Sequence, residues 1–202
     1  MKSISGVTKN EIVIEKSRFI TYLFPVTSID EIKEHLQSLR KEYADSTHIV
    51  YAFIINSDSR SNDNGEPKGT AGIPTLEVLR KENLTNILAV TIRYFGGIKL
   101  GAGGLVRAYT KGVADSLKLA VITNEAKVSY IKVKTSYKDS SYLDKNLSLT
   151  KETSKEYSDS VTYMITILSS NLNEFKELFI NFKDEYEYTF IKEETIFIWK
   201  QN

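Results

Sequence analysis

Apolar positions along the chain follow two rhythms. Ile12, Val13 and Ile14, then Phe19, Ile20, Tyr22 and Phe24, form dense short runs on either side of Lys16–Arg18, which predicts two strands joined at that turn. Ile29, Ile32, Leu36, Leu39 and Tyr43 recur at helical intervals behind Ser28-Ile29-Asp30-Glu31, a capping-box spacing, and predict a helix with one apolar stripe. His48 to Ile55 is β-branched and aromatic, a buried strand expected to end in a long polar loop at 56–64. A helix from Ile73 to Glu82, begun near Pro74, precedes an almost continuously apolar run from Ile87 to Phe95. Such a run belongs in a central strand covered on both faces, which favours Phe95 as a core residue and leaves Tyr94 either core or surface, with a base-stacking surface as the alternative for both rings. From Gly103 a helix is predicted to about Ala120, with Val106, Tyr109, Val113 and Leu117 inward and Arg107, Lys111 and Lys118 on the opposite stripe, interrupted by Asp115.

The later part of the chain reads as a strand (Lys127 to Thr135), a helix (Ser140 to Leu149), strands at Lys151 to Tyr157 and Ser160 to Leu168, a helix (Leu172 to Phe182) started at Asn171, and a strand from Tyr186 to Trp199. That βαββαβ order is the ferredoxin-like arrangement. Lys132 and Lys134 alternate with Ile131 and Val133, as in a sheet with one wet face. Nine of the ten glycines lie between Gly65 and Gly112, and no proline follows Pro74. This change of habit predicts an α+β chain of two domains, 1–125 and 126–202, joined near Asn124 to Lys127.

Composition mainly excludes. The chain has no cysteine, so disulfides, thiolate zinc sites and cysteine nucleophiles are ruled out. No apolar run resembles a secretory signal or a bilayer span, so a cytoplasmic protein without membrane contact is expected. With 27 Lys+Arg against 26 Asp+Glu, any attraction for a polyanion has to be local.

A local signal exists. Between Thr91 and Gly112 stand Arg93, Lys99, Arg107 and Lys111 and no acidic residue, in a stretch where Gly101, Gly103 and Gly104 follow a strand and open a helix. Free N–H groups at such a helix start, together with its dipole, attract anions. With Lys68 and Thr70 of the preceding glycine-rich loop and with Tyr94, these residues form a candidate site for RNA, phosphates on the cations and bases on the aromatic rings. The glycines fit neither the phosphate-loop nor the dinucleotide pattern. Candidates for catalysis are few. His35 reads as a solvated surface residue, whereas His48 at a strand start can approach Glu66 in the loop as an acid–base pair. Glu66 is alternatively a residue that holds its own loop by accepting backbone N–H bonds. Two histidines without cysteines predict no metal, and no cofactor is expected.

The segment G-E-P-K-G-T-A-G-I-P at Gly65 to Pro74, followed by R-Y-F-G-G-I-K-L-G-A-G-G-L-V-R-A-Y at Arg93 to Tyr109, resembles the signature of the IMPACT/YigZ family. The resemblance implies a two-layer α/β N-terminal domain, like one in a small-subunit ribosomal protein and in domain IV of the translocating elongation factor. It implies a ferredoxin-like second domain and a role in regulating translation. The family's histidine and acidic loop fall on His48 and on Asp63 with Glu66, while Asn64 stands where many relatives carry a second acid. Eukaryotic members restrain a starvation-sensing kinase through its activator and carry a different accessory domain, so that activity is not carried over. The expected function is binding of RNA or the ribosome. The alternatives are a regulator that docks on a ribosome-associated translation factor through the second domain's exposed sheet face, and an enzyme acting on a small phosphorylated ligand.

Overall fold

A computed structural model describes residues 1–199; the last three residues of the second predicted domain lie outside it. The chain forms two compact units, built on Met1–Asn124 and on Glu125–Ile198.

In the first unit, strands β1 (Lys2–Ile4), β2 (Thr8–Ile14) and β3 (Ser17–Pro25) precede helix α1 (Ile29–Glu42). Strands β4 (His48–Ile55) and β5 (Asp58–Asn62), helix α2 (Gly72–Lys81), strand β6 (Ile87–Tyr94) and helix α3 (Gly101–Leu119) follow. The main sheet is antiparallel in the order β2-β3-β6-β4-β5. The turn between β2 and β3 is the two residues Glu15 and Lys16, both at positive φ, which suits a tight hairpin, and it lies one residue earlier than the pattern predicts. Segment 58–62 pairs with β4 rather than forming a loop; its five polar residues carry no apolar alternation, and it is an edge strand of half-buried and exposed positions.

Both faces of this sheet are covered. Ile32, Leu36 and Leu39 of α1 pack with Phe24, Ile49, Leu88 and Val90 on one face. Leu76 and Leu79 of α2 and Val113 of α3 pack with Leu23, Ala52, Ile87 and Ala89 on the other. The two-layer arrangement expected from the resemblance is therefore replaced by three layers. The physical reason is β6, where odd and even positions are both apolar and each face must be buried. Ser28 caps α1 by accepting the Glu31 N–H at 3.2 Å, and the Glu31 carboxylate accepts the Thr27 N–H at 2.8 Å. His35 is not free in solvent; its ring stacks on Phe24 with centroids 4.1 Å apart. α3 begins two residues before the predicted Gly103, and Val106, expected inside, is exposed while Leu105 and Ala108 are buried.

β7 (Ile122–Thr135) starts in the first unit, where Ile122–Asn124 pair antiparallel with β1. The second unit continues through α4 (Tyr137–Asp144), β8 (Thr150–Tyr157), β9 (Val161–Leu168), α5 (Leu172–Glu177) and β10 (Glu187–Trp199), with strand order β8-β9-β7-β10. Leu143 of α4 and Phe175 of α5 pack against Ile131, Val133, Ile165 and Ile167 of the sheet. Helix α4 starts earlier than predicted because Ser136 accepts the Asp139 N–H at 3.2 Å. Asn171 makes no such bond to α5, whose last turn tightens into a 3₁₀ turn, Leu178–Asn181. Among the described residues no helix is long and apolar enough to cross a membrane.

Candidate functional site

Strand register builds the centre of the site. Phe19 of β3, Arg93 of β6 and His48 of β4 are direct cross-strand partners, so the three side chains form one row on a single face. Tyr109 of α3 lies over that row, edge-on to Phe19 with ring centroids 5.4 Å apart. Glu66 descends from the β5–α2 loop into the same space. Its Oε1 accepts Arg93 Nη1 at 2.7 Å and the Tyr109 hydroxyl at 2.7 Å, and both ion-pair partners are almost wholly buried, Arg93 at 5% and Glu66 at 7% exposure. Burial, with the Glu66 carboxylate beside it, pushes the Tyr109 hydroxyl far above its ordinary pKa, so the phenol stays a donor. The Arg93 guanidinium sits 5.3 Å from the Phe19 ring and 5.6 Å from the Phe95 ring, and its Nη2 reaches Ser17 Oγ at 3.4 Å. Arg93 Nε is buried with no acceptor.

His48 Nδ1 lies 2.9 Å from the Asn64 carbonyl, which can only accept, so Nδ1 carries the proton. Its Nε2 consequently faces Glu66 Oε2, at 3.9 Å. The two residues paired from the sequence are neighbours, in a gap too long for a direct hydrogen bond.

Asp63, rather than Glu66, holds the loop. Its carboxylate accepts the N–H groups of Gly69 at 2.8 Å, Ala71 at 3.0 Å and Gly72 at 2.7 Å, which also supplies the helix-start cap that Ala71 cannot give α2. Burial pushes the Asp63 pKa up, but the donors of Gly69, Gly72 and Ala71 outweigh it and hold the carboxyl below its ordinary value.

Two adjoining clefts open beside this cluster, sharing Lys99 and Leu100. The smaller, about 230 Å³, is lined by Glu66, Arg93, Phe95, Lys99, Gly101 and Ala102 among others. The larger, about 460 Å³, is lined by Glu15, Lys99, Gly104, Arg107 and Lys111 among others. Helix α3 starts at their junction with no side-chain cap and no acid in its first turn. Gly101 has φ +69°, a conformation that favours glycine, and Gly96 has no room for a Cβ because the Lys16–Ser17 backbone lies against it. These glycines shape the turn that brings Phe95 and Lys99 to the cleft.

The structure thus gathers Lys99, Gly101, Gly104, Arg107 and Lys111, with exposed Gly103 alongside, and separates the rest. Arg93 is not a surface cation: Glu66 neutralises it, because an unpaired buried guanidinium would be too costly. Tyr94 points to the opposite face, packs on the α1 side and donates its hydroxyl to Asp45 at 2.8 Å. Thr70 is buried and donates to the Pro67 carbonyl at 2.6 Å, holding the loop rather than meeting a ligand. Lys68 is exposed but lines neither cleft. Lys111 is engaged by Asp115 at 2.6 Å; Lys111 and Lys118 hold that carboxyl down at about 2. Phe95, expected in the core, is 46% exposed at the lip of the smaller cleft. Alternation could not have revealed this, since buried Arg93 and exposed Phe95 fall on one face. Sequence reasoning also missed Ser17, Glu15 and the polar role of Tyr109; nothing local marks them, because each acts on residues far along the chain. Among the described residues no cluster of three or more His, Cys, Asp or Glu side chains is placed to hold a metal ion.

Comparison with known proteins adds four findings. The Impact N-terminal domain model matches residues 15–117. The chain is 38% identical over 188 residues to the IMPACT family member YvyE of Bacillus subtilis, covering 87% of this chain and 83% of that one. It is 42% identical over 110 residues to the IMPACT family member YigZ of Escherichia coli, covering 52% of this chain and 54% of the relative. Among solved structures, a crystal structure of a hypothetical protein aligns over 95% of this chain and 97% of its own, with a TM-score of 0.62 and 27% identity.

Proposed function

The chain belongs to the IMPACT family, and on that premise we propose that it is a translation-associated regulatory protein that binds RNA, free or in the ribosome, through the basic glycine-rich clefts of its first unit. The observation that carries this reading is the convergence of Lys99 and Arg107 on the uncapped start of α3. Neither side chain has an ion-pair partner among the described residues, and both line the same 460 Å³ cleft. Cations of this kind beside free helix-start N–H groups are complementary to a phosphate backbone. Glu15 lowers the positive field at one edge of the cleft, and Asp115 lowers the charge that Lys111 can offer. The phosphate contacts therefore come mainly from Lys99 and Arg107.

The second unit's strand order, with both helices against one sheet face, supports the ferredoxin-like reading of that domain. Its other face carries Tyr130, Met164, Ile191 and Lys192 around a hollow of about 400 Å³. That face favours a second reading, docking on a protein factor.

The test is ribosome co-sedimentation and RNA binding over increasing salt. With roughly two or three phosphate contacts, the log–log salt slope for a single strand is about −1.4 to −2.1. Reversing Lys99 and Arg107 to Glu is expected to abolish binding. Association that survives high salt, nuclease and that double reversal would instead favour the protein partner.

A further inference from the structure

The two clefts differ in a way that orients a ligand. At one end Lys99 and Arg107 offer unpaired positive charge. At the other, Glu66 is an acid already matched to Arg93, and the exposed surface is the ring of Phe95. A phosphate has nothing to gain beside a carboxylate, whereas a flat aromatic base does gain beside an exposed ring.

Phe95 is unusual for an exposed aromatic because it is held from behind. Its backbone N–H donates to Thr47 Oγ1 at 3.0 Å, the next residue is wedged against the Lys16–Ser17 turn, and the fixed guanidinium of Arg93 lies 5.6 Å from its ring. The ring is therefore positioned before any ligand arrives, so little order has to be imposed on binding. Arg93 is 5% exposed, lines the cleft, and leaves its Nε–H without an acceptor. The α3 start, in the same cleft, is uncapped. The cleft of about 230 Å³ offers one exposed ring, that of Phe95, on which a single base can stack.

Resting on the RNA reading above, we propose that the smaller cleft receives a single unstacked base of single-stranded RNA, laid against the Phe95 ring, while the flanking phosphates run along Lys99 to Arg107. A base inside a duplex cannot reach such a ring, whereas bases of single-stranded segments can be splayed out onto it. The protein is thereby assigned to single-stranded loops or ends.

The experiment uses the full chain with a short single-stranded RNA carrying 2-aminopurine, the same sequence as a duplex, and the variants Phe95→Leu, Phe95→Trp and Lys99→Glu with Arg107→Glu. The wild type is expected to prefer the single strand and to change the 2-aminopurine fluorescence as the base stacks. Phe95→Leu should weaken single-strand binding by about 5- to 150-fold with an unchanged salt slope. Phe95→Trp should retain binding. Thermal unfolding of each variant verifies that the fold persists. If Phe95→Leu binds like the wild type, or the duplex binds equally well, the stacking assignment is overturned, and loss of binding in the charge-reversed variant would still uphold the phosphate reading. If the wild type binds no RNA at low salt, both fall.

Discussion

Two arginines of one glycine-rich block have opposite fates. Arg93 ends a central strand and is sealed under Glu66, Tyr109 and Phe95, whereas Arg107, on the outer stripe of α3, faces solvent across a cleft from Glu15. The first arginine binds its counter-charge internally; the second is available to an external anion. Cation density in a sequence therefore overstates the field at a surface, because burial compels pairing and exposure does not.

The sharpest way to break the contrast is Glu66→Gln. Leaving Arg93 buried without its counter-ion should cost about 3–5 kcal/mol, read as a lower urea midpoint. Gly96→Ala should also be strongly destabilising, by about 1–3 kcal/mol, because the new methyl meets the Lys16–Ser17 backbone; thermal unfolding measures it. Asp63→Ala leaves three loop N–H groups without their acceptor and should cost about 1–3 kcal/mol. Because Asp63 is held below its ordinary pKa of 3.8, its contribution is fully present above that value and is lost as pH falls through the folded pKa. Denaturant midpoints taken from pH 5 down to pH 2 should therefore fall less steeply in Asp63→Asn than in the wild type. At the small end, Lys99→Ala with Arg107→Ala should change stability by no more than about 0.5 kcal/mol while weakening RNA binding. His48 Nε2 lies 3.9 Å from Glu66 Oε2, and His48→Ala with unchanged function would exclude an enzymatic role for the pair.

Much of the fold was legible from the chain. The stripe from Ile29 to Tyr43, the apolar run from Ile87 and the βαββαβ order each carry a period that burial imposes. β5 was not legible, since an all-polar edge strand reads as a loop until its partner β4 is known. Phe95 was not legible for a similar reason. Alternation fixes that adjacent residues face apart, but how far the cover on each face extends past the end of β6 depends on what packs there, and it leaves Phe95 exposed.

By itself, then, the sequence determined the family, most elements, the glycine-shaped turn and the absence of cysteine chemistry, because these reside in local spacing and composition. Only the tertiary structure decided that Arg93 is spent on Glu66, that Asp63 rather than Glu66 holds the loop, and that Lys99 and Arg107 remain free beside an exposed Phe95. The physical reason is that a charge's availability depends on its burial and its partner, and here the partner lies 27 residues away in the chain.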